Sequence, residues 1–368
     1  MVHPAARHRD RAGGAGVHAV RAGHRGRAEP EAEGASVVSV LAISDLTVTY
    51  RTAGGDVPAV RGIDLSLGAG QKLGLAGESG CGKSTMALAL LRLLPKTARM
   101  TGSIMFDGED VLTMSWGRLR AVRWAGASIV FQGAMHSLNA VQRIGSQIAE
   151  PILLHSKVGE AAARRRVGEL LEHVGLPARR ADAYPHELSG GQRQRVMIAM
   201  ALACDPSLII ADEPTTALDV MIQAQILKLI ESLVAENGIS LVMISHDLSV
   251  LADTCDRLAI MYAGRIVEEG PAAEVFRAAR HPYGAALAAA FPTIGDPSSR
   301  RSPRGLAGDP PDPADLPAGC TFHPRCPVRL DYCDRIDPQL WPAGDGARAA
   351  CVHVLPDQGL SLVQKEPA

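Results

Sequence analysis

An α/β fold with a parallel sheet is the class the sequence predicts, and three observations carry it. SLIIAD (Ser207 to Asp212) and ISLVMIS (Ile239 to Ser245) are short, continuous apolar runs of the buried parallel-strand type. Between them Ile222, Ile226, Leu229, Ile230 and Leu233 recur at helical spacing. Upstream, a glycine-rich loop follows the strand KLGLA and opens a helix. Strand, helix and strand in that order build a parallel sheet with helical cover.

The elements follow along the chain. Residues 1–36 are rich in Arg, His, Ala and Gly and lack an apolar h-region, so a disordered tail, or a start codon assigned too early, is expected there, not a signal peptide. A basic arm touching acidic lipid is the alternative. Ordered structure is expected from Val37, where VVSVLAISDLTVTY is rich in β-branched residues. The glycine pair in TAGGDVPAV marks a hairpin turn, and a helix is predicted from Gly80 to Pro95, which stops it. QIAEPILL and EAAARRRVGELLEHVGL are helical, the second closing at Gly175. Asp219 is placed to cap the helix that Asn237-Gly238 ends. Prolines then crowd residues 292–318 as in a linker, and 319–368 holds four of the seven cysteines.

Bulk composition excludes several functions. A formal net charge of -1 gives no basic face for nucleic acid, and 4% aromatics give no stacking platform for single strands. No apolar run approaches the length of a spanning helix, so any membrane role must come through a partner.

GESGCGKST, from Gly77 to Thr85, fits the phosphate loop G-x-x-x-x-G-K-[ST] in the strand–loop–helix context it needs. Its residues Gly77, Glu78, Ser79, Gly80, Cys81, Gly82, Lys83, Ser84 and Thr85 would cradle a nucleotide, because glycines let backbone N–H groups turn inward at a helix N-terminus. Lys83 would reach the β- and γ-phosphates and the Ser84 hydroxyl would bind Mg2+. Cys81 reads as a spectator thiol. Asp212, at the end of an apolar strand, would hold the magnesium shell, and the adjacent Glu213 would orient and deprotonate an attacking water. A turn cap is the bland reading of that acidic pair.

Between these sites stands ELSGGQRQRVMIAMALA, in which Ser189, Gly190, Gly191 and Gln192 expose backbone donors at a helix N-terminus, a second anion site on one chain. With LSGGQ beside the phosphate loop, the chain resembles the ATP-binding-cassette (ABC) ATPases over about Leu41 to Pro292. The resemblance implies an ABC-type nucleotide-binding domain over residues 37–291. That domain has a RecA-like parallel-sheet core, an N-terminal antiparallel β subdomain and an α-helical signature subdomain, here with a small cysteine-containing C-terminal extension. It further implies that two ATPase subunits sandwich ATP, each signature meeting the nucleotide of the other.

Tyr50 matches the position that stacks on adenine, and Gln132 the glutamine that reaches metal and water. Asp219 matches the loop at the dimer interface, and His246 the switch histidine at the γ-phosphate. The alternative for Tyr50 is a core residue, and for His246 a structural one.

FQGAMHSLNAVQRIGSQIAEPI and HPYGAALAAAFP resemble the dipeptide and oligopeptide importers. That branch implies an ATPase on the cytoplasmic face of the membrane under two permease subunits. An extracytoplasmic solute-binding protein acts there indirectly, and nucleic acid has no part. Gly133, Ala134 and Ala140 depart from its pattern where the ATPase would touch the permease. Import of nickel or another small solute is the alternative within transport. Against a non-transport ABC ATPase, the chain has a single phosphate loop, and Lys83 and Ser189 are only 106 positions apart.

Cys320, Cys326, Cys333 and Cys351 follow C-x5-C-x6-C-x17-C, without the C-x2-C hooks of structural zinc sites. A reducing compartment disfavours disulfides. Four thiolates could hold an iron–sulfur cluster, and the resemblance to the peptide importers implies one of the 4Fe–4S type as a staple of the tail, with zinc or free thiols as alternatives. His323 and His353 are possible substitute ligands.

Overall fold

The computed structural model describes residues 39–133, 137–290 and 306–355. The expectations for residues 1–36, for Ala134 and for the first part of the linker lie outside the described residues.

The chain opens with a hairpin, β1 (Ser39–Thr52) and β2 (Gly55–Gly68), paired antiparallel with Thr52 opposite Gly55. Gly55 takes φ 121° there, a conformation open to glycine. Next come β3 (Lys72–Ala76), α1 (Lys83–Leu90), β4 (Ala98–Phe106), β5 (Glu109–Asp110), α2 (Trp116–Val122) and β6 (Ala127–Val130). β2, β1, β4 and β5 form a four-stranded antiparallel sheet.

The helix after the glycine loop is shorter than its sequence pattern suggests, running from Lys83 and not from Gly80. Gly80 and Gly82 hold φ at 81° and 108°, outside the right-handed helical region, so the loop must close first. At the other end Arg92 turns left-handed at φ 48°, ending the helix ahead of Pro95.

A helical subdomain follows: α3 (Ile144–His155), α4 (Glu160–His173) and α5 (Gly190–Ala201). The chain re-enters the sheet through β7 (Leu208–Asp212), α6 (Val220–Asn237), β8 (Ser240–Ser245), α7 (Leu248–Thr254), β9 (Arg257–Tyr262) and β10 (Arg265–Pro271). Asp219 caps α6 by accepting from the Ile222 amide at 3.0 Å, and Gly238 at φ 62° ends it. Two short helices, α8 (Ala272–Arg277) and α9 (Pro282–Ala290), precede the tail strands β11 (Trp341–Pro342) and β12 (Arg348–Ala349).

The second sheet has the order β11-β12-β10-β9-β3-β8-β7-β6. Strands β9, β3, β8, β7 and β6 run parallel, and the remaining three pair antiparallel at one edge. Because strand side chains alternate between faces, the apolar runs feed two cores. Ile209, Ala211, Leu241 and Met243 pack under the helices, while Leu208, Ile210, Val242 and Ile244 face the antiparallel sheet and α1. This explains why those strands read as continuous apolar runs: both faces are buried.

The cysteine segment is woven into this sheet. β12 pairs with β10 at Glu268 and Glu269, and Phe322 lies 1% exposed in the helical-side core.

Candidate active site

Four neighbouring parallel strands, β3, β8, β7 and β6, end at one edge of the sheet and release the expected residues there. Gly77–Thr85 follows β3, His246 follows β8, Asp212 closes β7 with Glu213 next, and Gln132 lies two residues past β6. The carboxyl ends of parallel strands are the ligand edge of open α/β sheets.

The phosphate loop approaches its neighbours too closely for side chains. A Cβ on Gly77 would sit 2.3 Å from the Met261 carbonyl oxygen, and one on Gly82 would sit 2.3 Å from that of Ala59. Lys83 Nζ is buried and donates to the carbonyls of Gly77 at 2.7 Å and Glu78 at 2.9 Å, which hold the ammonium inside the loop. Cys81 packs beside it, its Sγ 3.7 Å from Nζ, and burial pushes the thiol upward, as suits a spectator. Tyr50 Oη meets Thr85 Oγ1 at 3.2 Å, so β1 reaches the loop.

Asp212 is buried, and burial raises its carboxyl above the usual range against the opposing pull of the Ser84 hydroxyl; the Glu213 charge raises it further. Its Oδ1 is buried with no hydrogen-bond partner. A buried, unpartnered carboxylate oxygen beside a helix-start hydroxyl is the donor set a magnesium ion takes, so the residues fit that ion.

Glu213 holds φ at 44°, a left-handed conformation that costs a non-glycine residue free energy and clusters at functional sites. Gln132 Nε2 donates to Glu213 Oε2 at 2.8 Å, and Thr216 Oγ1 donates to the same oxygen at 2.8 Å. His246 Nδ1 stands 3.5 Å from the other oxygen, Oε1, with its side chain 64% exposed. Gln132, Glu213 and His246 therefore meet at one carboxylate.

Ser189 starts α5 with a reciprocal cap: its Oγ accepts from the Gln192 amide at 3.3 Å, and Gln192 Oε1 accepts from the Ser189 amide at 3.1 Å. Gly191 is required because a Cβ would lie 2.7 Å from Ile222 Cγ2. The hydrogen bonds of Ser189 and Gln192 stay within this helix start, and among the described residues none joins them to the phosphate loop.

The sequence model described as ABC transporter matches residues 60–216, and that of the oligopeptide/dipeptide transporter C-terminal region matches 267–333. The chain is 44% identical over 314 residues to the oligopeptide transport ATP-binding protein of Salmonella typhimurium, covering 85% of this chain and 93% of that one. It is 43% identical to the dipeptide transport ATP-binding protein of Bacillus subtilis, covering 85% and 94%.

The chain belongs to the ABC transporter ATP-binding subunits.

Solved ABC cassettes share its fold. A dimeric post-hydrolysis state of the cassette MJ0796, bound to ADP and Pi, matches with TM-score 0.57 and 28% identity over 63% of this chain and 98% of that one. The cassette cbiO1 of Clostridium perfringens matches with TM-score 0.56 and 30% identity over 65% and 91%. As an ABC ATPase the chain is an enzyme of ATP hydrolysis. No helix among the described residues is long and apolar enough to cross a membrane.

The expectation of a metal-stapled tail finds no ligand group in this ABC cassette. Among the described residues no three His, Cys, Asp or Glu side chains stand together closely enough to hold a metal ion. All four tail cysteines carry free thiols, half-buried at Cys320 and Cys326 and buried at Cys333 and Cys351. Burial pushes Cys320 up to about 11, and the other three cysteines add to that rise. Cys333 Sγ accepts the Leu330 backbone N–H at 3.3 Å. His323 Nδ1 meets the Cys320 carbonyl and His353 Nε2 the Val328 carbonyl, so both rings are engaged with backbone.

Sequence reasoning missed three partners of the site. Thr216 holds Glu213, Tyr283 Oη accepts from the Glu78 amide at 2.8 Å, and Arg325 grips the Glu78 carboxylate. The first lies three residues from Glu213, within the reach of a turn. The others are 205 and 247 positions from Glu78, where no local spacing could signal them.

Proposed function

We propose that this chain is the ATP-hydrolysing subunit that energises import of dipeptides or oligopeptides through a membrane permease. The observation that carries the hydrolytic reading is the meeting of Gln132, Glu213 and His246 at the strand edge that also bears the phosphate loop. What supports the cargo is the match of residues 267–333 to the oligopeptide/dipeptide transporter C-terminal region.

In this reading Lys83 trades the Gly77 and Glu78 carbonyls for the β- and γ-phosphates, and the loop's backbone donors surround the chain of phosphates. Glu213 accepts the proton of the attacking water. Gln132 Nε2 and the Thr216 hydroxyl tie down one oxygen, which leaves Oε1 to face the water. His246, beside that oxygen, is placed to contact the γ-phosphate. Ser84, Asp212 and Gln132 would hold Mg2+, which supplies charge neutralisation at the phosphates when bound. Tyr50 would stack on the adenine.

The donors at Ser189–Gln192 serve the nucleotide of a second ATPase subunit, identical or homologous, and Asp219 lies at that interface. ATP binds the closed dimer better than the open one, so binding closes it and hydrolysis releases it. The closed dimer would act on two permease subunits from the cytoplasmic face of the membrane, fed by an extracytoplasmic solute-binding protein. For the tail, the reading of a 4Fe–4S cluster rests on the number of cysteines alone, four in residues 319–368, with zinc and free thiols as the alternatives. Iron, sulfide and zinc analysis after anaerobic purification tests it, and zinc at one per chain without iron would sink it.

The transport reading is tested by assembling the chain with its co-encoded permeases in lipid and measuring ATP hydrolysis with and without peptide-loaded binding protein. Peptide should raise turnover several-fold. Stimulation by nickel complexes and not by peptides would overturn the cargo.

A further inference from the structure

Glu78 is the one acidic side chain of GESGCGKST. Its own carbonyl accepts from Lys83 Nζ, so its carboxylate belongs to the loop that would receive a triphosphate. A free negative charge there would oppose nucleotide, since like charges at such range repel.

The structure does not leave that charge free. Arg325 Nη1 donates to Glu78 Oε2 at 2.7 Å and Nη2 to Oε1 at 2.9 Å, a two-pronged pair. The Arg325 side chain is only 6% exposed and that of Glu78 25%, so salt screens the pair less than a surface bridge. The guanidinium is itself fixed. Nε donates to the Ala307 carbonyl at 3.0 Å, Nη1 reaches Tyr262 Oη at 3.4 Å, and the charge stands 5.9 Å from the Tyr262 ring centroid. Phe322, three residues earlier, packs edge-on against the same ring at 5.3 Å. Tyr283 accepts the Glu78 amide from behind. The first half of the phosphate loop is thus gripped by two groups that lie outside the phosphate loop, the signature and the strand-end motifs.

We infer that Arg325 is a positioning residue of the nucleotide site, neutralising and fixing Glu78 so that the loop's donors face phosphate and the cysteine segment sets nucleotide affinity. The inference rests on Gly77–Thr85 being the nucleotide loop. Arg325 touches Glu78 and not the reacting atoms, so its effect falls on binding more than on the chemical step.

The test measures the Kd of a fluorescent ATP analogue with Mg2+ on the full-length chain. Arg325→Ala and Arg325→Gln are each made in the native and the Glu78→Gln backgrounds. In the native background either substitution should raise Kd about tenfold, the effect of one uncompensated charge near the phosphates. In the Glu78→Gln background the same substitution should change Kd less than about twofold, because no carboxylate is left to neutralise. An equal rise in both backgrounds would mark Arg325 as a mere anchor of the tail and overturn the inference, as would no rise in the native one. Arg325→Gln keeps most of the volume under Tyr262 and carries the comparison if the alanine variant folds poorly. Lys83→Ala separates the two levels: unchanged Kd there removes the loop reading itself, whereas a loss there with unchanged Kd at Arg325 removes only this inference.

Discussion

Glu213 shows how a single residue is prepared. Its backbone sits at φ 44°, and two donors converge on one of its oxygens, so the other is aimed without freedom to rotate away. Glutamine has the same shape and can keep the Thr216 contact, but it cannot take a proton at neutral pH. Glu213→Gln should therefore retain ATP while phosphate release falls at least about a hundredfold, the range for loss of a general base. With hydrolysis blocked, ATP should hold two chains together, read as a dimer by size-exclusion chromatography. Phosphate release within about threefold of native would remove Glu213 from the base position and leave it a cap of the Pro214 turn.

The segment from β10 to α9 buries two titratable side chains, Glu268 and His281. Glu268, on β10, is fully buried and accepts from the amides of Arg280 at 2.6 Å and His281 at 3.1 Å just ahead of α9. Burial pushes its carboxyl up to about 7, although both amides and the Arg280 charge pull the other way. A carboxyl whose pKa is higher folded than unfolded contributes stability that is full below about 4.5 and is lost as pH rises through about 7. His281, buried and pushed down to about 3, does the reverse: its contribution is full above about 6.5 and is lost as pH falls toward 3. The two slopes oppose each other between about 4.5 and 6.5. Glu268→Gln removes one of them. Native protein should then lose thermal stability relative to the variant between pH 4.5 and 7, by on the order of a few kcal/mol in all. Parallel melting profiles for the two proteins across that window would show that the carboxyl does not titrate there.

At the scale of the whole molecule, the sequence is most informative where chemistry is local. GESGCGKST, SLIIAD and LSGGQ each state a backbone geometry within ten residues, and the parallel strand order then brings Gln132 to Glu213 across 81 positions. The tail was not legible in that way. Its contacts with the cassette join segments separated by a proline-rich stretch with no period, and its cysteine spacing reports thiols but not how they are arranged. Phe322 is the physical link. It packs against Tyr262, Tyr283 and His281 at ring separations of 5.3, 5.4 and 5.7 Å, and those tyrosines in turn hold Arg325 and the Glu78 amide. Phe322→Ala should therefore cost about 3–5 kcal/mol, as for other buried phenylalanines. The loss should appear in the unfolding of the whole cassette by urea. Far-ultraviolet circular dichroism and the reactivity of the tail thiols would report it at one shared midpoint, because the tail strand β12 is hydrogen-bonded to β10. If the segment were an appendage, thiol reactivity would rise at low urea while the cassette kept its native midpoint. That outcome would uncouple the tail from the nucleotide site.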